Sequence, residues 1–126
     1  MIVVDASAII DTLDRSAKAF ALEPFLDDDL AAPDTLIPEV IRYYARMARA
    51  EARRALAESA VSDLDAADIH YVPIWPYTQR IWELRQSVSA YDACYVAVAE
   101  ALQCPLLTTD TRLAGANGVR VPILVV

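Results

Sequence analysis

The sequence predicts a three-layer α/β/α sandwich built on a parallel sheet of about five strands. Three observations carry this. Short β-prone apolar runs alternate with longer segments of helical period, the pattern of strand–helix–strand crossovers. Of 126 residues, 56% are hydrophobic and only 2 are Gly, too apolar for a disordered chain and too poor in glycine for a linker or collagen-like sequence. One segment, Tyr91 to Gln103, is almost wholly apolar, which makes it a buried helix.

The elements follow in order. Ile2-Val3-Val4 is a buried strand ended by Asp5. Ser7 to Leu13 is helical, and a second helix covers about Ala17 to Leu26 until Asp27-Asp28-Asp29 breaks it. Leu30-Ala31-Ala32-Pro33 is a short strand. Asp34 and Thr35 are helix-start residues and Pro38 suits a first turn. The helical pattern then runs to about Leu64, as two helices or one bent helix. Ile37, Val40, Ile41, Tyr44 and Met47-Ala48 form its apolar stripe. Ile69 to Val72 is a strand closed by Pro73. Pro76 opens a helix to about Gln86, Ser89 caps the buried helix, and Cys104-Pro105 stops it. Pro105 to Thr108 is a strand, Asp110 to Ala114 a helical turn, and Val121 to Val125 the last strand. With no internal repeat and no linker, residues 1–126 read as one domain.

The net charge is -7, which argues against nonspecific coating of nucleic acid. No apolar stretch reaches the roughly 20 residues of a bilayer span, and Met1-Ile2-Val3-Val4-Asp5 lacks the basic start of a secretory signal. Cys94 and Cys104, on one helix, would lie about 15 Å apart, too far for a disulfide. They read as buried thiols of a cytoplasmic protein.

In a parallel sheet, strand ends and the starts of the following helices share one edge, where ligands bind. Asp5 ends the first strand, Asp110 follows the fourth, and Glu39 and Asp92 lie in first helical turns. All four are expected at one rim. Each alone has an ordinary explanation as a cap or dipole partner. Together they repel. Two carboxylates at 4 Å cost about 4 kcal/mol at an effective dielectric near 20, against about 0.3–1 kcal/mol returned by a helix N-terminus. A divalent cation supplies the missing charge, and an all-oxygen set suits Mg²⁺ or Mn²⁺. The sequence has no Gly-rich phosphate loop, and its one histidine, His70, is mid-strand with no evident partner. Acids and metal alone fit phosphodiester hydrolysis by an activated water.

These residues resemble the PIN-domain nucleases, specifically the VapC-type toxins of bacterial toxin–antitoxin pairs. The likeness is carried by Ile2-Val3-Val4-Asp5-Ala6-Ser7-Ala8, Ile37-Pro38-Glu39-Val40, Tyr91-Asp92-Ala93-Cys94-Tyr95-Val96-Ala97 and Thr108-Thr109-Asp110-Thr111-Arg112-Leu113. It implies a sheet in the order 3-2-1-4-5, Mg²⁺- or Mn²⁺-dependent endoribonuclease activity, inhibition by a small VapB-type antitoxin, and homodimers. Asp5, Asp92 and Asp110 are expected to hold the metal directly or through its waters. Glu39 orients or deprotonates the attacking water, and Ser7 and Thr108 support the acids. Some members carry another acid two residues past the last aspartate; here that position is Arg112, and Asn117 is a neutral candidate for the role.

Arg42, Arg46, Arg49 and Arg53 recur at helical spacing as either an RNA-backbone track or a solvated face. Tyr43, Tyr44 and Met47 are either a groove for an antitoxin helix or core. Trp75, Trp82 and Tyr77 are either core or dimer interface. Two rivals stand beside the nuclease: a phosphoryl-acceptor domain, which would need a late lysine whereas the one lysine is the early Lys18, and a binding module that keeps the fold without the chemistry.

Overall fold

The computed structural model describes residues 1–126. Its parallel sheet contains β1 (Ile2–Val4), β2 (Leu30–Pro33), β3 (Ile69–Val72), β4 (Leu106–Thr108) and β5 (Ile123–Val125), in the order β3-β2-β1-β4-β5. Val3 pairs with both Ala31 and Leu106, so β1 is central. That is why β1 and β4 have no polar alternation: Val3, Val4, Leu106 and Leu107 are fully enclosed, as strands covered on both faces must be.

The chain steps outward from β1 to β2 and β3, then returns to place β4 on the other side of β1. The gap between β1 and β4 is therefore the sheet's switch point, where open α/β folds bind ligands. Helices α1 (Ala6–Leu13), α2 (Ala19–Leu26), α3 (Leu36–Met47) and α4 (Glu51–Ala66) pack among themselves, while α5 (Thr78–Glu83) packs on α6 (Ala90–Leu102), which lies along β1, β2 and β4.

Most expected elements appear with small shifts. α2 begins at Ala19, two residues late, and tolerates Pro24 inside. The long helical stretch is two helices separated at Ala48–Ala50. The expected helix from Pro76 to Gln86 is a 3-10 turn, Trp75–Tyr77, followed by α5, which ends at buried Leu84. The helical turn after β4 is a 3-10 turn over Thr111–Gly115. Ser89 caps α6 as its spacing implied, its hydroxyl accepting from the Asp92 N–H at 3.1 Å. Cys94 and Cys104 are buried free thiols, though Cys104 lies past the end of α6.

Aromatic residues divide unexpectedly. Trp75 and Trp82 are 77% and 60% exposed, so neither is core. Arg85 covers Trp82 with its guanidinium 4.2 Å from the ring centroid. Tyr77 is half-buried against the core. His70 is exposed on β3, an edge strand.

One ion pair joins α5, α6 and the segment entering β5. Arg80 meets Glu100 through two nitrogens at 2.8 and 2.9 Å and also donates to the Gly118 carbonyl at 2.6 Å, while the Arg120 N–H donates to Glu100 at 3.0 Å. Burial works to raise the Glu100 carboxyl, but Arg80 and the Arg120 N–H outweigh it and hold it below its ordinary range. Removing one partner of such a shielded pair strands the other. Arg80→Met is expected to cost about 1–3 kcal/mol in urea unfolding, with part recovered by adding Glu100→Gln. An unchanged unfolding midpoint would overturn this reading.

Candidate active site

Asp5 is the first residue past β1 and the N-cap of α1. Only 4% exposed, its charge needs donors, and it has three. Oδ1 accepts from Ser7 Oγ at 2.6 Å and from the Ala8 N–H at 2.9 Å, and Oδ2 accepts from Thr108 Oγ1 at 2.5 Å.

The two hydroxyls are themselves oriented. Thr108 Oγ1 accepts from the Asp110 N–H at 2.9 Å, and Ser7 Oγ accepts from the Thr109 N–H at 3.0 Å. With a backbone N–H filling an acceptor site on each, each hydroxyl sends its single proton to Asp5. The backbone leaving β4 thus fixes the carboxylate that ends β1. Behind this, Thr109 Oγ1 donates to Asp11 at 2.7 Å and Lys18 Nζ donates to the Thr109 carbonyl at 3.1 Å.

Glu39 projects from the first turn of α3, half-buried, and its Oε1 accepts from the Tyr95 hydroxyl of α6 at 2.9 Å. Tyr95 follows Asp92 by three residues, so both lie on one face of α6. Asp110 caps the 3-10 turn after β4, and Arg112 surrounds its carboxylate: the Arg112 N–H at 2.9 Å, Nε at 3.0 and 3.2 Å, and Nη2 at 2.7 Å.

The electrostatics divide these acids. Burial raises the Asp5 carboxyl against the pull of its donors, with Asp92 adding repulsion. Burial raises Glu39 as well; Tyr95 opposes the shift, and Asp92 and Asp5 reinforce it. Asp92 is raised by burial and by Asp110, partly offset by its contact with Ser89 and by the Arg112 charge. Asp110 alone is lowered, first by its hydrogen bonds from Arg112. Asp5, Glu39 and Asp92 therefore repel one another across the switch point, and Asp110 is coupled to them through Asp92.

A profile of the PIN domain matches residues 2–118. The chain is 37% identical over 132 residues to the protein named Ribonuclease VapC9 of Mycobacterium tuberculosis, covering 100% of this chain and 98% of that one. It is 38% identical over 122 residues to Ribonuclease VapC1 of the same organism, covering 92% and 90%. This chain belongs to the PIN domain family.

Among solved PIN-fold structures, the VapBC-5 toxin–antitoxin protein of M. tuberculosis superposes with a TM-score of 0.70 at 26% identity, covering 98% of this chain and 97% of that one. PAE2754 of Pyrobaculum aerophilum superposes with a TM-score of 0.71 at 22% identity, covering 94% and 87%, a likeness of fold.

Divalent-metal dependence is general among PIN-domain ribonucleases, and the donor chemistry of this rim fits a hard cation. Every facing group is an oxygen acid, Glu39 Oε2 has no partner, and Asp5 Oδ2 has one. No three of these side chains gather into a ready ligand cage.

Asp5, Glu39, Asp92 and Asp110 all stand at strand ends or helix starts on one edge of the sheet, and Ser7 and Thr108 bond to Asp5. The remaining positions divide between surface and core. Arg42 and Arg46 belong to α3, Arg49 lies between helices and Arg53 belongs to α4. All four are exposed, but the helix break at Ala48–Ala50 divides their stripe. Asn117 is exposed and bonds to none of the acids. Tyr44 is core, its hydroxyl donating to Asp14 at 2.7 Å, and Met47 is half-buried; Tyr43 stays 40% exposed. Lys18, early in sequence, reaches the fourth-strand exit, because the loop after α1 folds back over it.

Tyr95 is the supporting residue that sequence reasoning left without a role. Its spacing of three from Asp92 was the available signal, but its partner Glu39 is 56 residues away.

Raised carboxyls have a definite stability sign. The folded protein holds protons that the unfolded chain releases, so stability falls as pH rises from the ordinary carboxylate range through the raised values. Asp92→Asn is therefore expected to stabilise the protein in EDTA at pH 8, by on the order of 1 kcal/mol, with a smaller gain at pH 4. Thermal unfolding at both pH values checks this; a variant less stable than the parent at pH 8 would contradict it.

Proposed function

We propose that this PIN domain is a Mg²⁺- or Mn²⁺-dependent endoribonuclease that acts as the toxin of a toxin–antitoxin pair. The single observation that carries the proposal is the rim of mutually repelling oxygen acids at the switch point, in a chain 37% identical along its full length to a protein named a ribonuclease.

Asp5, Asp92 and Asp110 hold the cation directly or through its waters. A bound Mg²⁺ or Mn²⁺ supplies charge that activates water and stabilises the leaving oxygen. Glu39 takes the proton from the attacking water at its free Oε2, while Tyr95 fixes Oε1. Burial raises the Glu39 carboxyl above its ordinary range, which makes it a stronger base. In-line attack on phosphorus breaks the bond to O3′, leaving a 5′-phosphate and a 3′-hydroxyl. Ser7 and Thr108 keep Asp5 aimed and favour its ionised form against burial.

Total bacterial RNA with mapped cleavage ends is the test. Cleavage is expected with Mg²⁺ or Mn²⁺ and absent in EDTA, and Asp5→Asn or Asp92→Asn is expected to lose about 100-fold or more. The rate should rise with pH through the Glu39 range and then level, a limb that Glu39→Gln removes. Full cleavage in EDTA would refute the metal-dependent reading.

RNA is the substrate, and the exposed arginines contribute to holding it. Arg42, Arg46, Arg49 and Arg53 make none of the protein's ion pairs, so their charge is free to meet phosphates. Reversing Arg46 and Arg49 to Glu is expected to raise KM for RNA severalfold with kcat little changed; unchanged KM would remove them from the substrate path.

A small VapB-type antitoxin is the proposed partner, supported by the likeness to a VapBC toxin–antitoxin protein. An apolar depression between α3 and α4, lined by Ile41, Ala45, Ala48, Ala57 and Val61, is a candidate seat for an antitoxin side chain. A homodimer completes the proposal, favoured by the large aromatic surface of Trp75 and Trp82 left to water in one copy.

A further inference from the structure

The contact that stands out at the rim is between Asp110 and Arg112. Every hydrogen bond made by the Asp110 carboxylate comes from Arg112, one from its backbone and three from its guanidinium. The guanidinium is bidentate, with Nη2 at 2.7 Å, yet the Arg112 side chain is 87% exposed while that of Asp110 is 21% exposed. The pair is thus geometrically good and energetically weak, since water and salt screen an exposed ion pair to about 0–1 kcal/mol.

We propose that Arg112 is an exchangeable counterion. Its guanidinium occupies Asp110 in this structure; a divalent cation bound at the rim would displace it from Asp110 toward a phosphate of the RNA. The inference rests on the nuclease reading above and goes beyond it by assigning Arg112 a positioning role in both states.

The geometry supports the exchange on three counts. First, the backbone N–H of Arg112 binds Asp110 Oδ1 separately from the guanidinium, so the carboxylate stays aimed after the side chain departs. Second, Oδ2 is held only by Nε and Nη2, so the departure frees that oxygen entirely. Third, an exposed arginine on a short turn has room to swing, and its planar fork suits phosphate as well as carboxylate. The side chain begins two residues from Asp110, at the rim where a scissile phosphate must lie for the acids to act. Lys18, bonded to the Thr109 carbonyl, places a second cation beside the same exit.

The exchange makes Arg112 a competitor of the metal and an ally of the substrate, two effects of opposite sign. Calorimetry separates them. Titrating Mn²⁺ into the metal-free protein without RNA, Arg112→Gln is expected to bind Mn²⁺ about two- to fivefold more tightly than the parent, the strength of a screened pair. Titrating adenosine 5′-monophosphate, a phosphate probe with no bond to cleave, at saturating Mn²⁺, the same variant is expected to bind about two- to fivefold more weakly. Arg112→Lys, which retains charge without the fork, should fall between parent and Gln in both titrations. Unchanged or weaker Mn²⁺ binding in Arg112→Gln, or unchanged nucleotide binding, overturns the exchange while leaving the nuclease reading intact. A parent protein that takes up no Mn²⁺ removes the metal-dependent reading and the exchange with it.

Discussion

The fixing of Asp5 at the boundary between β1 and β4 is the constraint on which the rest of the rim depends. A buried carboxylate is costly unless donors meet it, and three do: Ser7, Thr108 and the Ala8 N–H. The two hydroxyls take their orientation from the amides of Thr109 and Asp110. Asp5 therefore keeps its aim only while β1 and β4 are in register, Val3 against Leu106 and Val4 against Leu107. Fold and site are coupled at this point. A slip of the strands by one residue would send the Thr108 hydroxyl to the opposite face and strand the acid.

Around Asp5 the charges are arranged unevenly. Glu39 and Asp92 are destabilised as anions, chiefly by burial and then by neighbouring acids. Asp110, nearer the surface, is stabilised by Arg112. The inner part of the rim is poorly neutralised and the outer part is neutralised by a displaceable side chain. Such an arrangement favours entry of a small hard cation. Tyr95 adds to it by holding one oxygen of Glu39 and leaving the other free. The cost falls on stability rather than on shape, because the central strands beneath, β1 and β4, are closely covered.

Much of this was legible in the sequence, for physical reasons. Strands such as Leu30–Pro33 and Ile69–Val72 are apolar runs bounded by Asp or Pro, and both bounds matched the structure. The caps at Asp5 and Ser89 were legible because a cap is a local bond, three residues long. Convergence of the four acids followed from parallel pairing alone. The spacing of the arginines did not show where the helical stretch divides, because periodicity carries no record of a break at Ala48–Ala50. Core and interface stayed open for Trp75 and Trp82 in the sequence, because size and apolarity favour burial without enforcing it; the fold leaves both at the surface.

By itself, then, the sequence determined what depends on near neighbours: element types, caps, the apolar sheet, and the edge on which the acids stand. Only the tertiary structure decided the pairings across long loops, Tyr95 with Glu39, Thr108 with Asp5, and Lys18 with the Thr109 carbonyl. It also decided that Arg112 turns back onto Asp110 rather than outward to water. The reason is physical. Local geometry is encoded in spacing along the chain, whereas a hydrogen bond spanning 103 residues exists only once the strands that carry its two ends have packed side by side.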